Sequence, residues 1–223
     1  MMRTRIGASI ALLAAVSTTG VPATLGADIG VAARAGTQGL GAEVGVSFTK
    51  WVGIRAGYYG LTVSDSLSEG GIDYDGDLEV GGGGLLADFY PFRGRFRLTA
   101  GLFSNNNEIR VSATPTANQE IGGNIYTPAE IGMLRGKVMF NDTAPYLGIG
   151  WGNISKGHRI GFLFDAGVLK QGSADVRLEA TSPNVVDMAA LLADLRLEAS
   201  QVEDDIQDYD FWPVISFGLA IRF

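Results

Sequence analysis

The sequence predicts an all-β fold: an eight-stranded antiparallel transmembrane β-barrel with one amphipathic helix in its last external loop. Three observations predict it. First, residues 211–223 alternate strictly, with Phe211, Pro213, Ile215, Phe217, Leu219, Ile221 and Phe223 on one side and Trp212, Val214, Ser216, Gly218, Ala220 and Arg222 on the other. One side is continuously large and apolar and the other mostly small, which is the pattern of a lipid-facing barrel strand. Second, the 223 residues include 32 Gly but only 7 Pro, and the glycines fall inside strands, where a barrel wall bends and its interior is filled. Third, connections near 50, 93 and 156 are short and those near 67, 123 and 195 are long, matching short periplasmic turns and longer external loops.

Residues 1–27 read as a secretory signal, leaving 28–223 as the barrel. Arg3 and Arg5 supply the positive start, Ile6 to Val16 the short apolar core, and no acidic residue precedes Asp28. The first strand places Ile29, Val31, Ala33 and Ala35 on one side against Gly30, Ala32 and Arg34. The second sends Leu40, Ala42, Val44, Val46 and Phe48 outward and Gly41, Glu43 and Gly45 inward. In the third, Val52, Ile54, Ala56 and Tyr58 face outward and Arg55 and Gly57 inward, before a polar loop from Ser64 to Gly71.

The fourth strand opens with Asp73, Asp75, Asp77 and Glu79 on one parity opposite Leu78 and Val80. Beyond Gly81–Gly84 the apolar parity becomes Leu85, Ala87 and Phe89, with Asp88 inward, which suggests a β-bulge at the glycine run. The fifth strand, with Phe96, Leu98, Ala100 and Leu102 outward and Arg97 inward, continues through Asn105–Asn107 to Ala113. Residues 114–133 read as a long polar loop. The sixth strand resumes near Leu134 and runs to Trp151, and the seventh carries Ile160, Phe162, Phe164, Ala166 and Val168 outward and Asp165 inward. Residues 184–208 break the pattern: Met188, Leu191, Leu192, Leu195, Val202 and Ile206 recur at helical spacing. That helix reads as a cover for the external rim, a lid or a partner-binding surface. Trp51, Tyr58, Tyr90, Trp151 and Trp212 stand near strand ends, where aromatic girdles form.

The candidate lumen residues are Arg34, Glu43, Arg55, Asp88, Arg97, Asp165 and Arg222. Both signs come from most strands, and a charge inside a narrow barrel needs a partner or water. Two readings follow: a charge-lined path for small polar solutes, or a plugged core, since eight strands enclose little more than their own side chains. Asp73, Asp75, Asp77 and Glu79 form a candidate acidic external mouth that would attract cations, but Gly76 falls in the wrong place for a calcium loop. No metal site, cofactor or catalytic residue is assigned, because His158 is the only imidazole, Cys is absent, and His158 falls in a predicted periplasmic turn. A net charge of −7 without a basic stripe argues against nucleic acid as a partner.

The stretches Gly39–Glu43, Gly71–Gly76, Ala144–Gly152 and Pro213–Phe223, above all Pro145-Tyr146-Leu147-Gly148-Ile149-Gly150-Trp151-Gly152, resemble small eight-stranded outer-membrane barrels. The general likeness is to the OmpA-like and OmpW-like groups, and a closer one to the CarO-like ornithine-porin group. That resemblance implies narrow channels or structural barrels. The combined expectation is a Gram-negative outer-membrane protein, exported through the periplasm and surrounded by outer-membrane lipid including lipopolysaccharide. It would be a narrow porin for small polar or charged solutes, basic amino acids among them, or a non-transporting structural or adhesive surface barrel with a plugged interior.

Overall fold

The computed structural model describes residues 5–7, 28–69, 72–181 and 187–223, with side chains from 28–66, 74–181 and 187–223. Of the expected signal only residues 5–7 are described; the rest of it with the cleavage region, residue 184 at the expected helix start, and the Asp73 side chain lie outside the described residues. The elements in order are β1 (Arg5–Gly7), β2 (Asp28–Gly36), β3 (Gly39–Ser47), β4 (Val52–Glu69), β5 (Ile72–Phe89), β6 (Phe96–Ser104), β7 (Glu108–Thr114), β8 (Gln119–Ile121), β9 (Asn124–Tyr126), α1 (Pro128–Ile131), β10 (Met133–Met139), β11 (Thr143–Trp151), β12 (Ile160–Lys170), β13 (Asp175–Thr181), α2 (Met188–Ile206) and β14 (Phe211–Arg222). The short β1 lies against the outer part of β4, with Arg5 opposite Ser64.

Eight strands close a ring in the order β2-β3-β4-β5-β6-β11-β12-β14, all neighbours antiparallel, and β14 returns to β2 with Phe217 opposite Ala35. The outward positions are the large apolar residues of the alternating pattern. Leu85, Leu102, Leu147, Phe162, Phe217 and Leu219 are all more than half exposed. A soluble protein rarely exposes so large an apolar surface, whereas a wall facing hydrocarbon requires one. Among the described residues no helix is long and apolar enough to cross a membrane.

The strands do not stop at the ring. The outer half of β5 pairs with β7, β7 with β10, and β10 with β13, so a sheet β4-β5-β7-β10-β13 stands above the long-loop end. The polar stretch from Ser64 onward is therefore strand rather than loop: β4 pairs with β5 without interruption from Val52↔Phe89 to Glu69↔Ile72. Cross-strand partners satisfy its backbone even where its side chains are polar. The expected long strands are also divided, β6 from β7 at Asn105–Asn107 and β10 from β11 at Phe140–Asp142, and the expected loop 114–133 holds the β8–β9 hairpin and α1.

The expected bulge at Gly81–Gly84 is not a change of phase. Register against β4 is unbroken, and β6 and β7 meet β5 in one continuous register on either side of the gap. What changes is the surroundings. Below the glycines the outward side meets lipid and is apolar; above them it meets water and carries Asp75, Asp77 and Glu79, while Val80 turns inward and is buried. Gly81 and Gly82 relax the ladder there, at φ 138° and 141°, and a Cβ on Gly82 would lie 1.7 Å from the Ser104 carbonyl oxygen. The real phase change lies between β12, where odd residues Leu163, Asp165 and Leu169 are buried, and β13, where even-numbered Val176 is, with Gly172 at φ 78° between them.

Helix α2 covers the axis-facing side of the outer sheet. Leu191 and Leu195 pack with Ile121, Tyr126, Ile131, Leu134, Leu178 and Ala180. Asp187 caps the helix, accepting from the N–H groups of Ala189 at 3.1 Å and Ala190 at 3.0 Å. Glu203 accepts from the Val176 N–H at 2.7 Å, satisfying a donor on the strand that ends the sheet.

Candidate functional site

Inside the ring the side chains form stacked layers. At the short-turn end, Ile154 of the 152–159 turn folds into the barrel against Ala32, Leu163 and Ala220. Gly30 makes that possible, since a Cβ there would sit 1.9 Å from the Ile154 carbonyl oxygen. Towards the long-loop end lies an aromatic and aliphatic layer of Tyr59, Leu86, Phe103, Tyr146, Leu169 and Val214, with Trp212 packed on it. Above that, where the ladders open, amides take over: Asn105 donates to the Asn141 carbonyl at 3.1 Å, Asn107 to Gln171 Oε1 at 3.0 Å, and Gln171 to the Tyr209 carbonyl at 3.2 Å.

Between the two apolar layers sit six charges, Arg34, Glu43, Arg55, Asp88, Arg97 and Asp165, none more than 4% exposed. Period-2 alternation on six different strands and the closure of the ring bring them together. Arg55 is the hub for the carboxylates. Its Nη1 donates to both Glu43 oxygens at 3.0 Å, its Nε to Asp88 Oδ2 at 2.6 Å, and its Nη2 to Asp88 at 3.1 Å and Asp165 at 3.2 Å. Asp165 is the hub for the cations: Arg97 Nη2 donates to both its oxygens at 2.7 Å, and Arg34 Nη2 donates to Oδ2. Thr99 donates to Asp88 at 2.7 Å, Arg34 to Ser216 Oγ at 2.6 Å, and the Tyr59 hydroxyl to Glu43. Three arginines face three carboxylates, so the cluster carries no net charge to draw a solute inward.

The inward glycines do not leave a path through this cluster. A Cβ at Gly150 would lie 2.7 Å from Arg97 Cζ, and one at Gly218 2.6 Å from Arg34 Cδ. The space those glycines vacate is filled by the arginine side chains.

Arg222, also expected in the lumen, stands apart at the short-turn rim, where its guanidinium donates to the carbonyls of Asn153, at 3.1 Å from Nε, and His158. Asp75, Asp77 and Glu79 line the outward face of the outer sheet rather than the barrel mouth. There Asp77 is opposite Arg110, and Arg110 pairs with Glu79 at 3.7 Å and with Glu108. Of the expected girdle, Trp51, Tyr58 and Trp151 are exposed, whereas Tyr90 is 1% exposed and Trp212 turns inward. Among the described residues no group of three His, Asp or Glu side chains could hold a metal ion. Tyr59, Thr99 and Ser216, missed from the candidate set, all lie on the inward parity; no periodicity marks Ile154, which comes from a turn.

The outer cap has its own polar contacts. Tyr126 donates to Asp194 Oδ2 at 2.5 Å and Asn124 to the same oxygen at 2.8 Å, tying the β8–β9 hairpin to α2. Glu130 accepts from the Thr127 N–H at 2.8 Å and hydroxyl at 2.7 Å. These bonds hold Asp194 and Glu130 below the usual carboxylate range and push Tyr126 up to about 12. A depressed carboxylate contributes stability above its unfolded value, about 4, and loses it as pH falls through the folded value; the raised Tyr126 contributes below about 10 and loses it as pH rises through about 12. Hydrogen-exchange protection of residues 119–131 is therefore expected to be flat between roughly pH 4 and pH 10 and to fall on both sides. A profile unchanged into acid would show that these contacts contribute nothing.

No family model matches the chain, and no curated protein matches it. Among solved structures, it is similar to the crystal structure of Acinetobacter baumannii CarO2, at 24% identity and a TM-score of 0.57, with 88% of this chain and 98% of that chain covered. It is also similar to the crystal structure of A. baumannii CarO, at 22% identity and a TM-score of 0.55 over the same shares. The likeness covers most of both chains, and the fold is therefore a CarO-like eight-stranded β-barrel.

Proposed function

We propose that the chain is an outer-membrane barrel, exported by way of residues 1–27, that is closed along its axis and acts through its external cap as a non-transporting surface protein. The observation that carries the reading is the neutral cluster of three arginines and three carboxylates that spans the lumen, each at most 4% exposed. Separating those charges to pass a solute would desolvate several ions at once, at several kcal/mol each. Ile154 on one side and the Tyr59–Phe103–Tyr146 stack on the other, with ring centroids 5.7 Å apart in each pair, add two more closures. The lipid-type band of apolar residues supports the membrane placement, and the large cap above it supports an external position for that end. The outward face of the cap then stands at the height of outer-leaflet head groups, lipopolysaccharide among them. It carries Arg110, Arg135, Lys137 and Arg177 among Asp75, Asp77 and Glu179 around a cavity of about 390 Å³.

The test is single-channel conductance of the refolded chain in a planar bilayer, with and without residues 184–208. Both forms are expected to be silent, because the closures lie inside the ring and not under α2. Discrete conductance from the complete chain would establish the narrow porin for small polar solutes instead. Conductance from the deletion alone would make α2 a lid.

A further inference from the structure

The short-turn end has a charge character opposite to that of the whole chain. The net charge is −7, yet the turns 48–51, 90–95 and 152–159 together hold five Lys and Arg residues and no Asp or Glu. The fold gathers four of them, Lys50, Arg93, Arg95 and Lys156, with Arg222 from the end of β14. A cavity of about 380 Å³ opens there, lined by Lys50, Arg93, Arg95, Lys156 and Arg222 and by no carboxylate. Its other wall is apolar: Trp151, Ile160 and Phe162, each more than half exposed, belong to the outward face of the barrel. The cavity therefore joins a cationic floor at the rim to the surface that meets hydrocarbon.

The cations are placed rather than scattered. Arg93 is the one described non-glycine residue with positive φ, 53°, a conformation that costs energy and needs local support. Its N–H donates to the Tyr90 carbonyl at 3.1 Å, and its guanidinium lies 4.3 Å from the centroid of the Trp51 ring. Lys156 donates to the Thr49 carbonyl at 2.8 Å and is 3.5 Å from Asp28, the nearby acid, which does not line the cavity. Like charges converging on one cavity repel unless an anion neutralises them, and an arginine fork suits phosphate oxygens.

We infer that this cavity is a binding site for the phosphate head group of an anionic phospholipid of the inner leaflet, with the acyl chains lying along Trp151, Ile160 and Phe162. The inference rests on the membrane reading above, with the short turns facing the periplasm. A soluble phosphate would use the cations but leave the apolar wall idle, so the lipid is the better fit to both walls.

The test uses the complete chain refolded in detergent micelles, with bound lipid counted by native mass spectrometry against added phosphatidylglycerol, phosphatidylcholine or inorganic phosphate. Phosphatidylglycerol is expected to be retained about tenfold more tightly than phosphatidylcholine, as one or two charge-assisted contacts would give. That preference should largely vanish in Arg93→Gln/Arg95→Gln, whose sites are exposed turns, and persist in Lys170→Gln/Arg196→Gln, at exposed positions that line neither cavity. Equal retention of the two lipids, or a preference that survives Arg93→Gln/Arg95→Gln, overturns the inference. Displacement of phosphatidylglycerol by inorganic phosphate alone would overturn it too, in favour of a soluble anion. Insertion into liposomes is scored in parallel: a chain that does not insert sinks the membrane reading itself, whereas an inserted chain without lipid preference sinks only this site.

Discussion

Arg55→Ala is expected to destabilise the barrel by about 3–5 kcal/mol, the cost of breaking a buried ion pair by removing one partner. Arg55 is 1% exposed and donates to Glu43, Asp88 and Asp165. Its loss leaves Glu43 with its contact to Tyr59 and a 3.6 Å approach to Arg34, and leaves Asp88 with Thr99 and a 3.5 Å approach to Arg97. Water would have to enter or a carboxylate take up a proton, and both responses consume stability. The urea midpoint of unfolding from lipid vesicles, followed by tryptophan fluorescence, measures the loss. Truncating Glu43 as well, in Arg55→Ala/Glu43→Ala, should recover part of it, since less uncompensated charge remains buried. A single variant as stable as the parent would mean that the cluster is hydrated in the membrane and not closed.

Leu195→Ala is expected to cost about 2–5 kcal/mol, the range for emptying a well-packed leucine site, but to spend it on the cap alone. Leu195 is 2% exposed among Ile121, Tyr126, Leu134 and Leu178, all above the ring. The contacts that fix α2 otherwise run through Asp194, Glu198 and Glu203 to residues 122–126 and 176. Limited proteolysis should cleave the variant within 187–207 while the barrel keeps its folded gel mobility, because a locally opened unit exposes its backbone without global unfolding. If barrel and cap were lost together, the outer sheet would be part of one cooperative unit with the ring, coupled through the continuous β4–β5 hairpin.

Alternation in the sequence determined the ring. Each barrel strand carries large apolar residues on one parity because lipid requires them, and that requirement also identifies the opposite parity as lumen, so Arg34, Glu43, Arg55, Asp88, Arg97 and Asp165 are legible as inward charges without any structure. The helix was legible for the same kind of reason, a 3.6-residue period with Leu191 and Leu195 at its centre. Where the surroundings of the wall change, the same reasoning misleads. Val80 is apolar because it faces the covered interior of the outer sheet, and Asp77 is acidic because it faces water, so the switch at Gly81–Gly84 looks like a bulge although the register never slips. Only the tertiary structure decided three further matters: that the six inward charges meet as a neutral set, that Ile154 enters the barrel from a turn, and that Lys50, Arg93, Arg95, Lys156 and Arg222 converge on one cavity. Each depends on distances between residues remote in the chain, and those are fixed when the sheet closes on itself and not by any local period.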